Sequence, residues 1–142
     1  MLEVRPLEKT DRDFLYGAVC DLEQTDFPLS AFNGQFQQAL EPATLQYFIA
    51  HESGNPIGYF ALRIEHQLHH CALVAEIVEF YISPNQRNQG RGTALLKLVV
   101  DMAKQSGAIL IEVASSLNRN DTHRFYEQFG FRQTHFRFSY PL

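Results

Sequence analysis

Between Ala75 and Gly92 the chain reads AEIVEFYISPNQRNQGRG, an apolar, β-prone run that ends at Pro84, then a polar turn, then two glycines around Arg91. An amphipathic stretch, TALLKLVVDMAK, follows at once. Glycines placed between a strand and a helix leave backbone N–H groups bare at the positive end of the helix dipole, and that combination binds phosphate. Arg87 and Arg91 add charge there, although a solvated turn would also account for both. The spacing Arg87-x-x-Gly90-x-Gly92 lacks the Lys-Ser/Thr that follows the last glycine of a Walker loop, and it lacks the further glycine of a dinucleotide fingerprint.

The same spacing resembles the R/Q-x-x-G-x-G/A pyrophosphate loop of the GNAT superfamily of N-acetyltransferases. A second stretch, Asn118–Phe131 (NRNDTHRFYEQFGF), resembles that superfamily's N…FYexxGF segment, in the expected order and with a helix and a strand between the two. The resemblance implies an α/β (α+β) GNAT fold: a mixed, mostly antiparallel central sheet, a parallel splayed strand pair and flanking helices, in one domain over residues 1–142. It also implies acetyl-CoA as cosubstrate. The coenzyme would lie between the strand ending at Ser83 and the strand Ala108–Ala114, with its pantetheine arm paired to the backbone of Tyr81 and Ile82 like one more strand. The N–H groups of Asn88, Gln89, Gly90, Arg91, Gly92 and Thr93 would hold the pyrophosphate, with Arg87 beside them. Phe125 precedes Tyr126 in the FY pair. Asn118 would bond the pantetheine or cap a helix; the family's asparagine falls where this chain has Arg119, so Asn118 and Asn120 both stay open.

Acyl transfer to nitrogen needs a neutral amine and a neutralised leaving sulfur. Deprotonating an ammonium with a pKa of about 10.4 at neutral pH costs roughly 4–5 kcal/mol, and a carboxylate beside the acceptor can take that proton. Glu76, fourteen residues before Gly90, stands where the resemblance puts the general base. Glu79 is the rival. Strict alternation sends the two to opposite faces, but GNAT strands carry a bulge near this point, so parity alone does not choose. Tyr126 occupies the position whose phenol, by the resemblance, donates to the departing thiolate. An intact acid and base argue against the other class of reading, a non-catalytic acyl-CoA-binding module.

For the acceptor, Leu68–His70, Ala75–Phe80, Asp121–Tyr126 and Thr134–Phe138 look like the aminoalkylphosphonate N-acetyltransferases, as does Leu15–Phe36. Pro28-Leu29 departs from them at a place where an acceptor would bind. The resemblance implies a small primary amine with a phosphonate; a polyamine, amino acid, aminoglycoside or peptide N-terminus are the alternatives. It also leaves open a divalent metal, with His69 or His70 beside Glu76 or Glu79, and a homodimer. Arg137 and His135 would suit a phosphonate, or form the outward half of an alternating strand. Phe27 and Phe32 would wall the acceptor pocket, or pack in the core.

The elements that must position these residues follow from periodicity. Leu2–Pro6 alternates as a strand. Thr10, with Asp13 three residues on, suits a capping box for a helix whose stripe is Phe14, Leu15, Ala18, Val19 and Leu22. Leu29–Leu40 reads as a second helix, and Leu45–His51 and Pro56–Glu65 as strands joined by a turn at Ser53–Pro56. Ala72–Ser83 is the next strand, Thr93–Gln105 a helix with Leu95, Leu96, Val99 and Met102 inward, and Ala108–Ala114 a run of the kind buried on both faces. A helix is expected from Asn118 through Phe129, and one or two closing strands over Phe131–Tyr140. The expected order is β-α-α-β-β-β-α-β-α-β, with a parallel crossover around the loop.

Composition bounds the rest. With 142 residues, 45% hydrophobic and 20% charged, the chain is of ordinary globular type. A net charge of −4 with scattered basic residues speaks against nucleic acid, and no apolar run reaches the ~20 residues that span a bilayer. The N-terminus lacks the layout of a signal peptide, and Cys20 and Cys71 read as reduced thiols, so a cytoplasmic location is expected.

Overall fold

The computed structural model describes residues 1–142. Backbone contacts divide the chain into two units, Met1–Glu112 and Val113–Leu142. The first opens with β1 (Leu2–Pro6), then α1 (Arg12–Glu23), α2 (Leu29–Leu40), β2 (Leu45–Glu52), β3 (Asn55–Gln67) and β4 (Ala72–Ile82), and α3 (Arg91–Gln105) follows the glycine loop. After α3 come the short β5 (Ile111–Val113) and, in the second unit, α4 (Asn120–Phe129). The sheet runs β1-β2-β3-β4-β5 in space; its first three pairings are antiparallel and β4–β5 is parallel. No helix is long and apolar enough to cross a membrane.

The β2–β3 hairpin turns on Ser53 and Gly54 alone, both with positive φ (50° and 79°), the handedness that matches strand twist in a two-residue loop. Its strands pair so that Tyr47, Ile49 and Tyr59 point toward α1 and α2, where Leu15, Ala18, Phe32 and Phe36 complete a buried cluster with Tyr81. Phe48 and Phe60, one residue out of phase, stack at 5.0 Å on the opposite face. Gly58 lies where strand and partner approach closely: a Cβ there would stand 2.3 Å from the carbonyl oxygen of Tyr81, so any side chain forces the ladder apart. In α3, Leu95, Leu96 and Val99 are fully buried as expected, and Ala103 takes the deepest place in the last turn where Met102 had been expected.

Several expectations need correction. The turn before α1 is closed by Asp11, not by Thr10 with Asp13: its Oδ2 accepts the Glu8 N–H at 2.8 Å while both oxygens accept from Arg5 at 2.7 and 2.8 Å. A buried carboxylate that also meets an arginine outcompetes an exposed hydroxyl as a turn-closing acceptor. The helix after the loop begins at Arg91 rather than Thr93, because Gly90 (φ 78°) is already its N-cap. The run 108–114 is ladder-bonded but not buried on both sides; Ile109 and Leu110 are exposed.

In the second unit α4 starts at Asn120, with Arg119 as N-cap, so Asn118 precedes the helix. Gly130 (φ 123°) ends it, and the N–H groups of Gly130 and Phe131 return to the Tyr126 carbonyl. Phe131–Tyr140, expected as one or two closing strands, forms no helix or strand. Alternation records which side chains would share a face; a strand also needs a ladder partner, which alternation does not supply.

Candidate functional site

Strand β4 contains an irregularity at the candidate residues. Its register against β3 runs Tyr59↔Tyr81, Phe60↔Phe80, Ala61↔Glu79, then jumps to Leu62↔Ile77 and Arg63↔Glu76, leaving Val78 without a partner. Ala61 and Arg63 are two residues apart on an unbroken strand, so they share a face, and so do the residues opposite them. The bulge therefore brings Glu76 and Glu79 to one side of the sheet, together with Tyr47, Tyr59 and Tyr81.

The two carboxylates meet different partners there. Glu79 accepts the Tyr47 hydroxyl at 2.8 Å on Oε2 and the Tyr59 hydroxyl at 2.7 Å on Oε1. Burial, reinforced by the negative charge of Glu79, pushes both phenols far above the ordinary tyrosine value, so both keep their protons and act only as donors. Glu76 accepts Nη1 of Arg63 at 2.8 Å, with about a quarter of its side chain and a third of that of Arg63 exposed. Sequence reasoning missed Arg63, Tyr47 and Tyr59. The one available signal was an arginine directly after the apolar run YFAL, a costly place for a charge with no partner.

At the end of β4, Tyr81 and Ile82 are buried. The Tyr81 hydroxyl donates to Asp21 Oδ2 at 2.8 Å; burial and that bond push its phenol up to about 12. Arg87 folds back over this group, its Nε donating to the Ile82 carbonyl at 2.8 Å and its guanidinium carbon 5.5 Å from the Tyr81 ring centre. Its Nη2 lies 3.5 Å from Asp21. Arg91 forks onto Glu52, Nε to Oε1 at 3.2 Å and Nη2 to Oε2 at 3.0 Å, holding that carboxyl below its usual range, and also meets Gln89. Both loop arginines thus have carboxylate partners. The anion-binding capacity of the loop rests on its backbone: Asn88 (φ 60°) and Gly90 (φ 78°) turn the chain, the Ala94 N–H is the donor that reaches back to the Gly90 carbonyl, and the N–H groups of Arg91, Gly92 and Thr93 precede it in the first turn. This cradle fits a diphosphate such as that of acetyl-CoA.

The remaining predicted residues are scattered. Phe32 is spent on the core, edge-on to Tyr16 at 5.1 Å and stacked on Phe36 at 5.8 Å. Phe27 is half-buried and its carbonyl accepts the Tyr16 hydroxyl at 2.5 Å. His69 and His70 occupy a single helical turn, rings 4.2 Å apart, with His70 bonded to Gln67 at 2.9 Å. No group of three or more His, Cys, Asp or Glu side chains comes together to hold a metal ion, so the residues present do not assemble a metal site. In the second unit Tyr126 is buried on α4 with its ring 5.3 Å from Phe125 and 5.5 Å from Phe131. Burial raises its phenol well above the ordinary value, with the Arg119 charge acting the other way. Asn118 and Asn120 are exposed before and at the start of α4, and Arg137 lies in the exposed terminal stretch.

Known proteins bear on this arrangement at three levels. The model of the acetyltransferase (GNAT) family matches residues 10–131. An aminoalkylphosphonate N-acetyltransferase of Salmonella typhimurium is 34% identical over 140 residues, covering 99% of this chain and 91% of that protein. Among solved structures, a transcriptional regulator from Bacillus halodurans superposes with a TM-score of 0.88 at 20% identity, each chain covered in full. An aminoglycoside N-acetyltransferase in complex with CoA superposes with a TM-score of 0.82 at 21% identity, covering 100% of this chain and 95% of the other. At such identities these two speak for the fold alone. The family match and the near full-length relative, set beside a bulged strand that leads into a glycine-capped helix, lead to one conclusion: the chain belongs to the GNAT family of acetyltransferases.

Proposed function

We propose that this N-acetyltransferase moves an acetyl group from acetyl-CoA to a small primary amine, with an aminoalkylphosphonate as the acceptor and Glu76 as the general base. The near full-length identity to an aminoalkylphosphonate N-acetyltransferase supports the acceptor. The observation that carries the choice of base is the contrast on β4. Both oxygens of Glu79 already accept from buried phenols, whereas Glu76 is partly exposed and accepts from Arg63, a long side chain that is itself partly exposed. Glu76 takes one proton from the ammonium, the neutral nitrogen attacks the thioester carbonyl, the C–S bond breaks as the C–N bond forms, and the nitrogen's surplus proton ends on the departing sulfur, which leaves as the CoA thiol.

Tyr126 is assigned to the departing sulfur. A phenol raised by burial is a weaker acid than a free thiol, whose pKa is about 8.5. Tyr126 therefore helps by donating a hydrogen bond to the developing thiolate more than by surrendering its proton outright. The bare amides at the start of α3 hold the diphosphate.

The test is acetyl-CoA turnover against a panel of an aminoalkylphosphonate, a polyamine, an amino acid and an aminoglycoside, each with and without chelator. Turnover highest on the phosphonate supports the reading; acetyl-CoA binding without turnover on any amine sinks it in favour of a binding module. Tyr126→Phe is expected to lower kcat by about 10²- to 10³-fold with little change in KM, the loss typical of one donor to charge developing in the transition state. An unchanged kcat would move the acid elsewhere.

A further inference from the structure

We propose that Arg87 covers the backbone carbonyl on which a pantetheine arm would pair, and so selects a thioester that carries a diphosphate over one that does not. This rests on the reading that acetyl-CoA lies along the end of β4. The sheet aims that carbonyl away from β3. Gly58 and Ile82 are opposed across the two strands, and the Ser83 N–H reaches the Ile57 carbonyl at 2.8 Å. That bond marks Gly58 and Ile82 as a pair that exchanges none of its own, so the Ile82 N–H and C=O point to the other side. The next strand there is β5, three residues long, and the bonds that lead into it meet β4 at Leu73 and Ala75, toward its opposite end. An extended amide chain can pair at Ile82 as one more strand. Arg87 takes the place first. After Ser83 a single helical turn, closed by the Gln86 and Arg87 N–H groups on the Ser83 and Pro84 carbonyls, reverses the chain. The Arg87 side chain thereby returns to β4, where its Nε donates to the Ile82 carbonyl at 2.8 Å and its guanidinium carbon stands 5.5 Å from the Tyr81 ring centre.

This cover is held lightly. The Arg87 side chain is 48% exposed and its Nη2 reaches Asp21 only at 3.5 Å, a contact of the kind that contributes little in water. Lifting it strands no carboxylate, because Asp21 keeps the Tyr81 hydroxyl at 2.8 Å on Oδ2 and Gln24 at 3.3 Å on Oδ1. The Ile82 carbonyl exchanges one N–H donor for another when an amide of the arm replaces Nε. Only the guanidinium is left wanting an acceptor, and there the ligands differ. A diphosphate on the amides of Arg91, Gly92 and Thr93 brings oxyanions to the same loop, and a guanidinium fork suits them. A pantetheine thioester without phosphates brings none. Arg87 therefore opposes every arm and compensates only the one that arrives with a diphosphate.

The experiment follows binding of S-acetylpantetheine and of CoA to the wild type, Arg87→Ala and Asp21→Asn by titrating backbone and arginine N–H resonances, with thermal unfolding to check folding. In R87A the arm alone should bind about three- to tenfold tighter, one competing hydrogen bond having been removed, while CoA binds severalfold weaker. D21N keeps Arg87 but loosens its hold; it should tighten S-acetylpantetheine by about twofold, and it carries the test where R87A does not fold. In the wild type the Arg87 Nε–H resonance should move as S-acetylpantetheine is added. An arginine that serves the phosphates alone would leave S-acetylpantetheine unchanged in R87A and weaken CoA. One that merely braces the loop would weaken both ligands. Either result overturns this inference and leaves the coenzyme reading standing, whereas a wild type that binds neither ligand overturns the two together.

Discussion

Glu79 and Glu76 sit one ladder step apart on the same face of β4, and the sheet treats them differently. At Glu79 the partners are two phenols rooted in or beside the α1–α2 core, neutral donors that have no alternative acceptor once buried. At Glu76 the Arg63 guanidinium donates, a cation that is about a third exposed. Neutral, buried donors hold a carboxylate in fixed geometry, whereas a partly exposed ion pair contributes less. That difference in setting is what favours Glu76 over Glu79 as the proposed base.

The sharpest way to break this contrast is to neutralise each carboxylate in turn. Glu76→Gln is expected to lower kcat by about 10²–10⁴, the usual contribution of a general base. Glu79→Gln is expected to cost less than about tenfold in kcat and to act mainly on KM and stability. If steady-state kinetics show the larger kcat loss at Glu79, the roles are exchanged. A smaller effect tests the tethers. Tyr59→Phe removes a buried donor and leaves one oxygen of Glu79 short of a partner, which should cost about 1–3 kcal/mol in urea denaturation. Arg63→Gln opens a half-exposed pair and should cost under about 1 kcal/mol. Equal costs would mean that the two sites are held alike.

The same contrast explains what the sequence could and could not tell. The turn at Gly90 into α3 was legible because its geometry is local: a positive φ ahead of a helix needs nothing from outside the segment. Strands β1 to β4 and helix α2 were likewise legible, since their apolar spacing is set by the face each element buries. The face-sharing of Glu76 and Glu79 was not, because it depends on Val78 being skipped by β3, and nothing in IVE marks which residue a bulge will leave out. Arg63, Tyr47 and Tyr59 became functional candidates only through a pairing that joins residues up to 32 positions apart. The capping residue before α1 was misplaced for the same reason: Asp11 wins through Arg5 on a neighbouring strand, which local motif spacing cannot register.

That Arg5–Asp11 pair is the buried counterpart of the Arg63–Glu76 pair. Asp11 keeps only 6% of its side chain exposed, is forked by both Arg5 nitrogens and takes the Glu8 N–H as well, whereas Glu76 keeps 26% exposed. Burial by itself would raise the Asp11 carboxyl, but the Arg5 bonds, the Glu8 amide and nearby positive charge together hold it below the ordinary value. A group with a depressed folded-state pKa stabilises the fold above its unfolded pKa, near 4, and that contribution fades as pH falls through the folded value. The stability difference between wild type and Asp11→Asn should thus be largest above about pH 5 and shrink steadily on acidification below 4. Urea midpoints measured from pH 6 down to 2.5 would show the two curves converging. Parallel curves would mean that Asp11 is not held as an ion by Arg5, and the contrast between a buried pair there and a partly exposed one at Glu76 would lose its reference point.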